Sequence, residues 1–351
     1  MNEIIIDKKI ISHKSDPYII SEIGANHNGD IDLAFKMIDE SIKCGVDSVK
    51  FQSWTKDSLF SKRQFESDDQ AVSNEDTQNS LSYEVNKYSL SYENIEQIYE
   101  YCDKKNITFL SSVFSNDEVD FLDKLGMAAF KIASMDINNL ILLEKIATKN
   151  KPVLLSTGMS NITEISNAVS ILESNGSGPI VLFHTVSTYP PDDSDLNLKN
   201  IMMLKEKFDL IIGFSDHTLG ISAPLAAIAL GAVVIEKHFT IDKNLDGWDH
   251  KMSATPNELE IIVKEGKRIK KHLGNYDRKL SNDEINLKSI FRRSIVASKD
   301  LKKDTVITLS DINFKRPGDG ISPDKYESII GKKLKVNKFY DDPILNSDFC
   351  V

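Results

Sequence analysis

The sequence predicts a (β/α)8 TIM barrel followed by a small β-rich domain. Short apolar, often β-branched runs alternate with amphipathic stretches in eight strand–helix units over about 260 residues. Runs that are apolar throughout indicate parallel strands buried on both faces. Near residue 275 the alternation gives way to short strand-like pieces separated by Gly, Pro and Asp. A doubly wound open sheet is the alternative, and the lack of GxGxxG after the first strand counts against it.

The elements are assigned in chain order from these runs. The barrel strands are predicted at residues 18–24, 47–52, 107–112, 128–134, 152–157, 179–186, 210–215 and 232–239. Residues 53–90, rich in Ser, Asp, Asn and Gln, predict a long polar loop, of a kind that is usually functional or mobile. We place the barrel domain at 1–275, a linker at 276–290 and the small domain at 291–351. The hydrophobic core of a domain of about 60 residues gives only marginal stability, so we expect the small domain to pack against a barrel.

Composition and charge exclude several classes of protein. The chain has 351 residues and a formal net charge of −10, whereas proteins that bind phosphate backbones normally present a basic field, so we expect no nucleic-acid partner. No apolar stretch approaches the roughly 20 residues of a membrane span, and the opening residues are too broken for a signal peptide. Cys44, Cys102 and Cys350 form no CxxC motif, which is typical of thiols in a reducing compartment. We therefore expect a cytoplasmic protein without a membrane partner.

Polar side chains are predicted at the carboxyl end of every barrel strand, where barrel enzymes place their reactive groups. Lys50 and Lys131 stand out because they lie in otherwise apolar runs. A single lysine in a strand is most often a surface residue, but an inward lysine needs a charge partner. The hydroxyl groups predicted around them belong to Ser112, Ser134, Ser156, Ser187 and Ser215. Lysines and hydroxyls together favour a pocket for an anion that carries phosphate and carboxylate.

Three histidines fall at the ends of the last three strands. His217 and His238 are on adjacent strands, so their imidazoles can converge on a metal such as Mn, Fe, Co or Zn. Two nitrogen ligands leave positions for water and a substrate oxygen, as a Lewis acid requires. A lone histidine is usually structural, and for His184 we favour a structural role over that of a third ligand. Asp249 and His250 either lie over the barrel mouth or belong to a solvated turn.

A series of short motifs connects the chain to a known family. In order they are SEIGANHNGD (21–30), VKFQ (49–52), KIAS (131–134), LSTGM (155–159), GFSDHT (213–218), EKHFT (236–240), DGWDHKMS (246–253), FRRS (291–294) and KRPGDGI (315–321). In this order and spacing the chain resembles the N-acetylneuraminate (sialic acid) synthase family, which includes the pseudaminic and legionaminic acid synthases. The resemblance covers nearly the whole chain. It implies a (β/α)8 barrel followed by an antifreeze-like (SAF) domain.

The resemblance also implies an activity. Such a synthase condenses phosphoenolpyruvate with an acyclic aldose such as N-acetylmannosamine and releases phosphate. Pseudaminic or legionaminic acid synthesis, or another aldose, is the alternative. The family uses a divalent metal, typically Mn²⁺, with Mg²⁺ or Co²⁺ as alternatives, and it forms homodimers in which the C-terminal domain of one subunit caps the barrel of the other.

Site residues are implied at the positions that match the family's motifs. Glu22, Lys50 and Lys131 match catalytic positions, and His217 and His238 match the metal ligands. The phosphoenolpyruvate site, besides the two lysines, matches Ser112, Ser134, Ser156, Ser187 and Ser215. The sugar side matches Gln52, Tyr189, Asp249 and Arg316.

The chain departs from the family's usual residues around the sugar. Ser112-Val113 replaces a Thr-Pro pair, Met135-Asp136 replaces Gly-Glu, Ser187 stands where asparagine is frequent, and Trp248 replaces a frequent proline. These changes leave the aldose open rather than the reaction. A metal-dependent barrel hydrolase and a carbohydrate-binding protein without activity are the competing classes. A hydrolase needs no phosphate cage, and a binding protein leaves the inward lysines unexplained.

Overall fold

The computed structural model describes residues 3–71 and 80–349. The chain divides into two compact units, Met1–Gly274 and Asn275–Val351. The first unit opens with an antiparallel hairpin of two short strands, β1 (Ile4–Ile6) and β2 (Lys9–Ile11).

Eight parallel strands follow the hairpin and form a closed barrel, which confirms the predicted fold. They are β3 (Tyr18–Gly24), β4 (Ser48–Gln52), β5 (Thr108–Ser112), β6 (Phe130–Ile132), β7 (Val153–Ser156), β8 (Ile180–Thr185), β9 (Ile211–Asp216) and β10 (Val234–His238). The last strand pairs with the first, and His238 lies opposite Glu22 in this register. Closure therefore joins predicted site residues from distant parts of the chain.

Helices follow the barrel strands along the chain. They are α1 (Ile31–Cys44), α2 (Lys56–Leu59), α3 (Lys62–Ala71), α4 (Leu81–Tyr88), α5 (Tyr92–Lys105), α6 (Asn116–Leu125), α7 (Leu140–Ala147), α8 (Ile162–Ser174), α9 (Asn200–Phe208), α10 (Ser222–Ala229) and α11 (Pro256–Leu273). In α1, Asp30 caps the first turn by accepting from two backbone N–H groups, and Gly45 ends the helix in the left-handed conformation. The buried face of α1 includes Met37 and Ile38, whose spacing suits packing against the barrel.

Two hydrophobic layers hold the barrel. The larger one lies between strands and helices and includes the buried thiols of Cys44 and Cys102, which are free as predicted. Cys350 lies outside the described residues. The smaller layer joins the hairpin to the barrel interior, where Ile6 and Ile11 pack in one cluster with Phe183. The hairpin therefore belongs to the core of the first unit.

The prediction of a long loop at 53–90 is wrong for the described part of that stretch. Helices α2, α3 and α4 lie there, and positions 72–79 fall outside the described residues. Thr55 closes a capping box at the start of α2, and Ser80 caps α4. A cluster that includes Trp54, Val85 and Tyr88 supplies their core. We name residues 53–71 and 80–90 the helical excursion.

The second unit contains α12 (Asn282–Phe291), β11 (Ser294–Ala297) and β12 (Ile312–Lys315). The two strands pair antiparallel, and isolated bridges and short 3-10 turns make up much of the rest. Its own core includes Ile307, Ile329 and Ile344, all fully buried. The stretch predicted as a linker, 276–290, contains most of α12. Among the residues that the structure describes, no helix has the length and apolar character to cross a membrane.

Candidate active site

A cavity opens at the carboxyl end of the barrel, and every barrel strand contributes to its wall. The predicted site residues that line it are Glu22, Lys50, Gln52, Ser112, Lys131, Ser134, Ser156, Ser187, Tyr189, Ser215, His217 and His238. Ala133, Met135, Met159, Thr185 and Glu236 line it as well. Strand alternation explains the gathering, since every second side chain of a strand faces the same side. On β10, Glu236 and His238 face the cavity, whereas Lys237 forms a buried ion pair with Asp216 at 2.7 Å.

Two lysines and two glutamates form a buried charge network in this cavity. Lys50 Nζ lies 2.8 Å from Glu22 Oε2, and Lys131 Nζ lies 2.8 and 2.9 Å from the two carboxylate oxygens of Glu236. Lys50 Nζ is also 3.9 Å from Glu236 Oε1, which links the two pairs. All four side chains are at most 5% exposed. The sequence predicted that these lysines bind an anionic ligand. The structure adds two buried carboxylates with which such a ligand must compete for the lysines.

Burial and pairing set these four groups apart in proton affinity. Burial raises the pKa of Glu22, Glu236 adds to the rise, and Lys50 only partly opposes it, which leaves that pKa at about 7. Burial also acts to raise the pKa of Glu236, but Lys131 and Lys50 together hold it well below its usual range. Burial likewise lowers the pKa of Lys131, which Glu236 offsets only in part. Glu22 is therefore the member of the network best suited to exchange a proton near neutral pH.

Hydroxyl groups complete the wall around the lysines. Lys50 donates to Ser112 Oγ at 2.9 Å, and Ser215 Oγ donates to Glu236 at 3.0 Å. Gly158 lets two more hydroxyls approach, since a Cβ there would lie 2.2 Å from Ser187 Oγ and 2.8 Å from Ser134 Oγ. A glycine is required at 158 to keep this part of the cavity open.

The two predicted metal ligands meet on one side of the cavity. The ring centroids of His217 and His238 are 5.5 Å apart, and the Tyr189 ring lies 4.1 Å from that of His217. His217 donates a hydrogen bond from Nδ1 to the Val186 carbonyl at 2.8 Å. Its Nε2 then carries the lone pair that can bind a metal. Asp249 Oδ2 lies 3.4 Å from His238 Nδ1.

The residues present fit a divalent cation. Burial lowers the pKa of both imidazoles, which favours the neutral form that binds metal. His238 Nδ1 is buried and, among the described residues, has no hydrogen-bond partner. Within the same residues no group of three or more His, Cys, Asp or Glu side chains is arranged to hold a metal ion. A cation here would take two protein nitrogens and complete its coordination with water or substrate oxygens.

The segment after β10 is held from two sides. His250 is fully buried, not placed in a solvated turn, and its ring nitrogens lie 2.7 Å from Thr240 Oγ1 and 3.2 Å from Asn28 Oδ1. Trp248 donates from Nε1 to Glu84 Oε2 in α4 at 2.9 Å. The segment thereby places Asp249 next to His238. Burial raises the pKa of Asp249 to about 6.

Two other predicted residues have different surroundings. His184 does not line the cavity, and its Nε2 lies 2.7 Å from the Leu196 carbonyl, as favoured for a structural role. Arg316 belongs to the second unit, where its guanidinium carbon lies 5.2 Å from the centre of the Phe291 ring. Its predicted role toward a sugar stays a prediction.

Glu236 is the site residue that sequence reasoning left out of its assignments. The alternation in VIEKH gives a signal, because it puts Glu236 on the same face as His238. Its partners Lys50 and Lys131 come from distant strands, so no local spacing announces the network.

The fold and site define a (β/α)8-barrel protein with its reactive groups at the strand ends. Residues 37–278 match the NeuB family, and residues 292–349 match the SAF domain. The chain belongs to the NeuB family, that of the sialic, pseudaminic and legionaminic acid synthases.

Relatives cover nearly the whole chain. It is 40% identical to the N,N'-diacetyllegionaminic acid synthase of Campylobacter jejuni, over 93% of this chain and 98% of that protein. It is 35% identical to a pseudaminic acid synthase of the same species, over 98% of this chain and 97% of that protein. A crystal structure of the sialic acid synthetase of Leptospira borgpetersenii, in complex with citrate, superposes with a TM-score of 0.71. That match has 36% identity and covers 81% of this chain and 94% of the other.

Proposed function

We propose that this protein condenses phosphoenolpyruvate with an acyclic aldose, releases phosphate and so forms a sialic-acid-type sugar acid. The observation that carries the proposal is the buried network of Lys50, Lys131, Glu22 and Glu236 beside the pair of imidazoles, all in one cavity. Acid synthases among the relatives support the same reaction class.

The lysines and hydroxyls bind phosphoenolpyruvate. Lys50 and Lys131 supply positive charge to its phosphate and carboxylate, and Ser134, Ser156 and Ser187 supply hydrogen-bond donors. Binding requires the guest to take over part of the lysines' contacts with Glu22 and Glu236. A protonated Glu22 leaves the four groups with a net positive charge, which favours the anion.

The reaction balances without an oxidant or a reductant. Carbon 3 of phosphoenolpyruvate forms a bond to the aldehyde carbon, and the aldehyde oxygen takes up the proton of Glu22, which becomes a carboxylate. Water adds to the cationic carbon 2 and gives a proton to Glu22. The bond from carbon 2 to the phosphate oxygen then breaks, the hydroxyl on carbon 2 gives its proton to the departing phosphate, and the 2-keto acid remains. Glu22 thus serves first as acid toward the aldehyde oxygen and then as base toward water, and between these two steps its charge stabilises the cationic carbon.

His217 and His238 would hold the divalent cation, for which we propose Mn²⁺, with Mg²⁺ or Co²⁺ as alternatives. When bound, it supplies Lewis-acid polarisation of an aldehyde oxygen. Tyr189 and Asp249 border the imidazoles, so we place the aldose at this end of the cavity, with Gln52. The predicted homodimer, in which Arg316 of a second copy reaches the sugar, belongs to the same proposal.

The named relatives and the cavity wall suggest the candidate aldoses. The named relatives make legionaminic and pseudaminic acids, so N-acetylated and di-N-acetylated six-carbon aldoses are the first candidates for this chain. Three of the residues that depart from the usual pattern, Ser112, Met135 and Ser187, line the cavity. We propose that they adapt it to the aldose.

Phosphate release from phosphoenolpyruvate, measured with Mn²⁺ and a panel of such aldoses, tests the function, and mass spectrometry identifies the product. We expect turnover with at least one aldose and its loss with EDTA. Lys131→Met should lower kcat/KM at least about 100-fold, since it removes a preorganised charge, whereas exposed Lys43→Met should match the wild type. Absence of turnover with every aldose, together with no binding of phosphoenolpyruvate, would refute the proposal.

A further inference from the structure

A tryptophan outside the cavity wall is hydrogen-bonded to the catalytic network. Trp54 follows β4 by two residues and is 2% exposed. Its indole N–H donates to Gln52 Oε1 at 3.0 Å. Gln52 Nε2 in turn donates to Glu22 Oε1 at 2.8 Å. These two bonds connect a buried aromatic side chain to the carboxylate that the proposed mechanism uses as its base.

The indole decides which way the glutamine amide faces. An indole nitrogen only donates, so the group that faces it must be the carbonyl oxygen of Gln52. The amide nitrogen then has to face Glu22. With the amide reversed, two donors would oppose each other and the oxygen would face a carboxylate oxygen. Trp54 therefore fixes the polarity of Gln52.

With its amide in this orientation, Gln52 is the second residue, besides Lys50, that holds the Glu22 carboxylate. Oε1 accepts from Gln52, and Oε2 pairs with Lys50 at 2.8 Å, so both oxygens are engaged. Gly24 leaves room for the first of these bonds, since a Cβ there would lie 3.1 Å from Glu22 Oε1 and 3.3 Å from Gln52 Nε2. The carboxylate is thus held in one orientation before a substrate arrives.

Helices α3 and α4 hold Trp54 in place. Trp54 packs in one buried cluster with Phe65, Val85 and Tyr88 from α3 and α4. Trp248 stacks on it, with ring centroids 5.7 Å apart, and is itself bonded to Glu84 of α4. The indole of Trp54 therefore links α3 and α4 to Gln52 and Glu22 in the cavity.

We propose that Trp54 is a positioning residue that acts through Gln52 to orient Glu22. The inference rests on the proposed function for its kinetic consequence and on the hydrogen bonds above for its geometry. Trp54→Phe keeps an aromatic ring in the cluster and removes only the N–H. The amide of Gln52 is then free to turn, and Glu22 loses a directed donor.

Kinetics of a double-mutant cycle test the proposal. We expect Trp54→Phe to lower kcat about tenfold, the value of one hydrogen bond in the transition state, with KM for phosphoenolpyruvate within about twofold because Lys50 and Lys131 are unchanged. In a Gln52→Met background, Trp54→Phe should have no further effect. Tyr88→Phe, which alters the same cluster without reaching Gln52, should match the wild type. Full additivity of Trp54→Phe and Gln52→Met, or equal losses in Trp54→Phe and Tyr88→Phe, would overturn the proposal.

A crystal structure of the Trp54→Phe protein keeps this test separate from that of the function. Lack of turnover by the wild type would count against the proposed function alone. In that case the variant structure decides the positioning role: loss of the contact between Gln52 Nε2 and Glu22 Oε1 supports it, and an unchanged contact overturns it.

Discussion

At the scale of single residues, the site depends on how two carboxylates share two lysines. Glu236 receives Lys131 on both oxygens and a hydroxyl from Ser215, whereas Glu22 has Lys50 and the amide of Gln52. Lys50 is also drawn toward Glu236. This unequal sharing explains why burial raises the pKa of Glu22 whereas ion pairing lowers that of Glu236. It also explains why Glu22 can act as a base while Glu236 holds a lysine in place.

The raised pKa of Glu22 predicts a pH dependence of stability. The unfolded carboxyl has its ordinary pKa of 4.5 and the folded one a pKa of about 7, so the folded state binds more protons between these values. The free energy of unfolding should therefore fall as pH rises from about 4.5 to about 7, by at most about 1.4 kcal/mol per pH unit from this group. Glu22→Gln should remove this contribution.

Urea unfolding of metal-free wild type and Glu22→Gln, measured at several pH values from 4.5 to 8, checks this prediction. The difference between the two proteins should shift in favour of the variant as pH rises. Glu40→Gln serves as the control, because Glu40 is part of an exposed pair with Lys43. A constant difference over this range would show that Glu22 keeps an ordinary pKa in the folded protein.

At the scale of elements, the helical excursion approaches the turn between β3 and α1 very closely. Gly29 in that turn has φ of 76°, and a Cβ there would lie 1.9 Å from the backbone oxygen of Lys87 in α4. A backbone carbonyl cannot rotate away as a side chain can. The absence of a side chain at Gly29 is therefore what lets α4 pack against the turn.

Gly29→Ala should displace the end of α4. Strain in the left-handed conformation costs roughly 1–2 kcal/mol, and the clash should add roughly 1–3 kcal/mol. Gly176→Ala is a matched control, because Gly176 has φ of 86° and nothing within 4 Å of its added Cβ. Thermal unfolding should show a larger loss of stability for Gly29→Ala than for Gly176→Ala. Limited proteolysis should cut the helical excursion faster in Gly29→Ala than in Gly176→Ala. Equal losses in the two variants would contradict a close contact in solution.

At the scale of the whole molecule, the sequence predicted the barrel well because its strands are short apolar runs with clear ends. The helical excursion was predicted as a loop because its polar composition shows little helical periodicity, although Thr55 and Ser80 are capping residues. The members of the cavity were predicted from the rule that strand ends converge. The pairing of Lys131 with Glu236 was not, because it depends on barrel closure between residues 105 positions apart. Side-chain partners of that kind are set by tertiary structure alone.

Closure of the barrel also sets where a metal can bind. His217 directly follows β9, and His238 is the last residue of the neighbouring strand β10. His184 in β8 forms a hydrogen bond with the Leu196 carbonyl. We expect the wild type to bind Mn²⁺, and His217→Ala and His238→Ala to bind it more than about 100-fold more weakly, since even outer-shell partners are worth 10–100-fold. His184→Ala should retain affinity, because its ring does not face the cavity. Titration followed by the electron paramagnetic resonance of free Mn²⁺ measures this without substrate. Loss of binding in His184→Ala equal to that in His238→Ala would make His184 a third ligand and contradict the two-imidazole site.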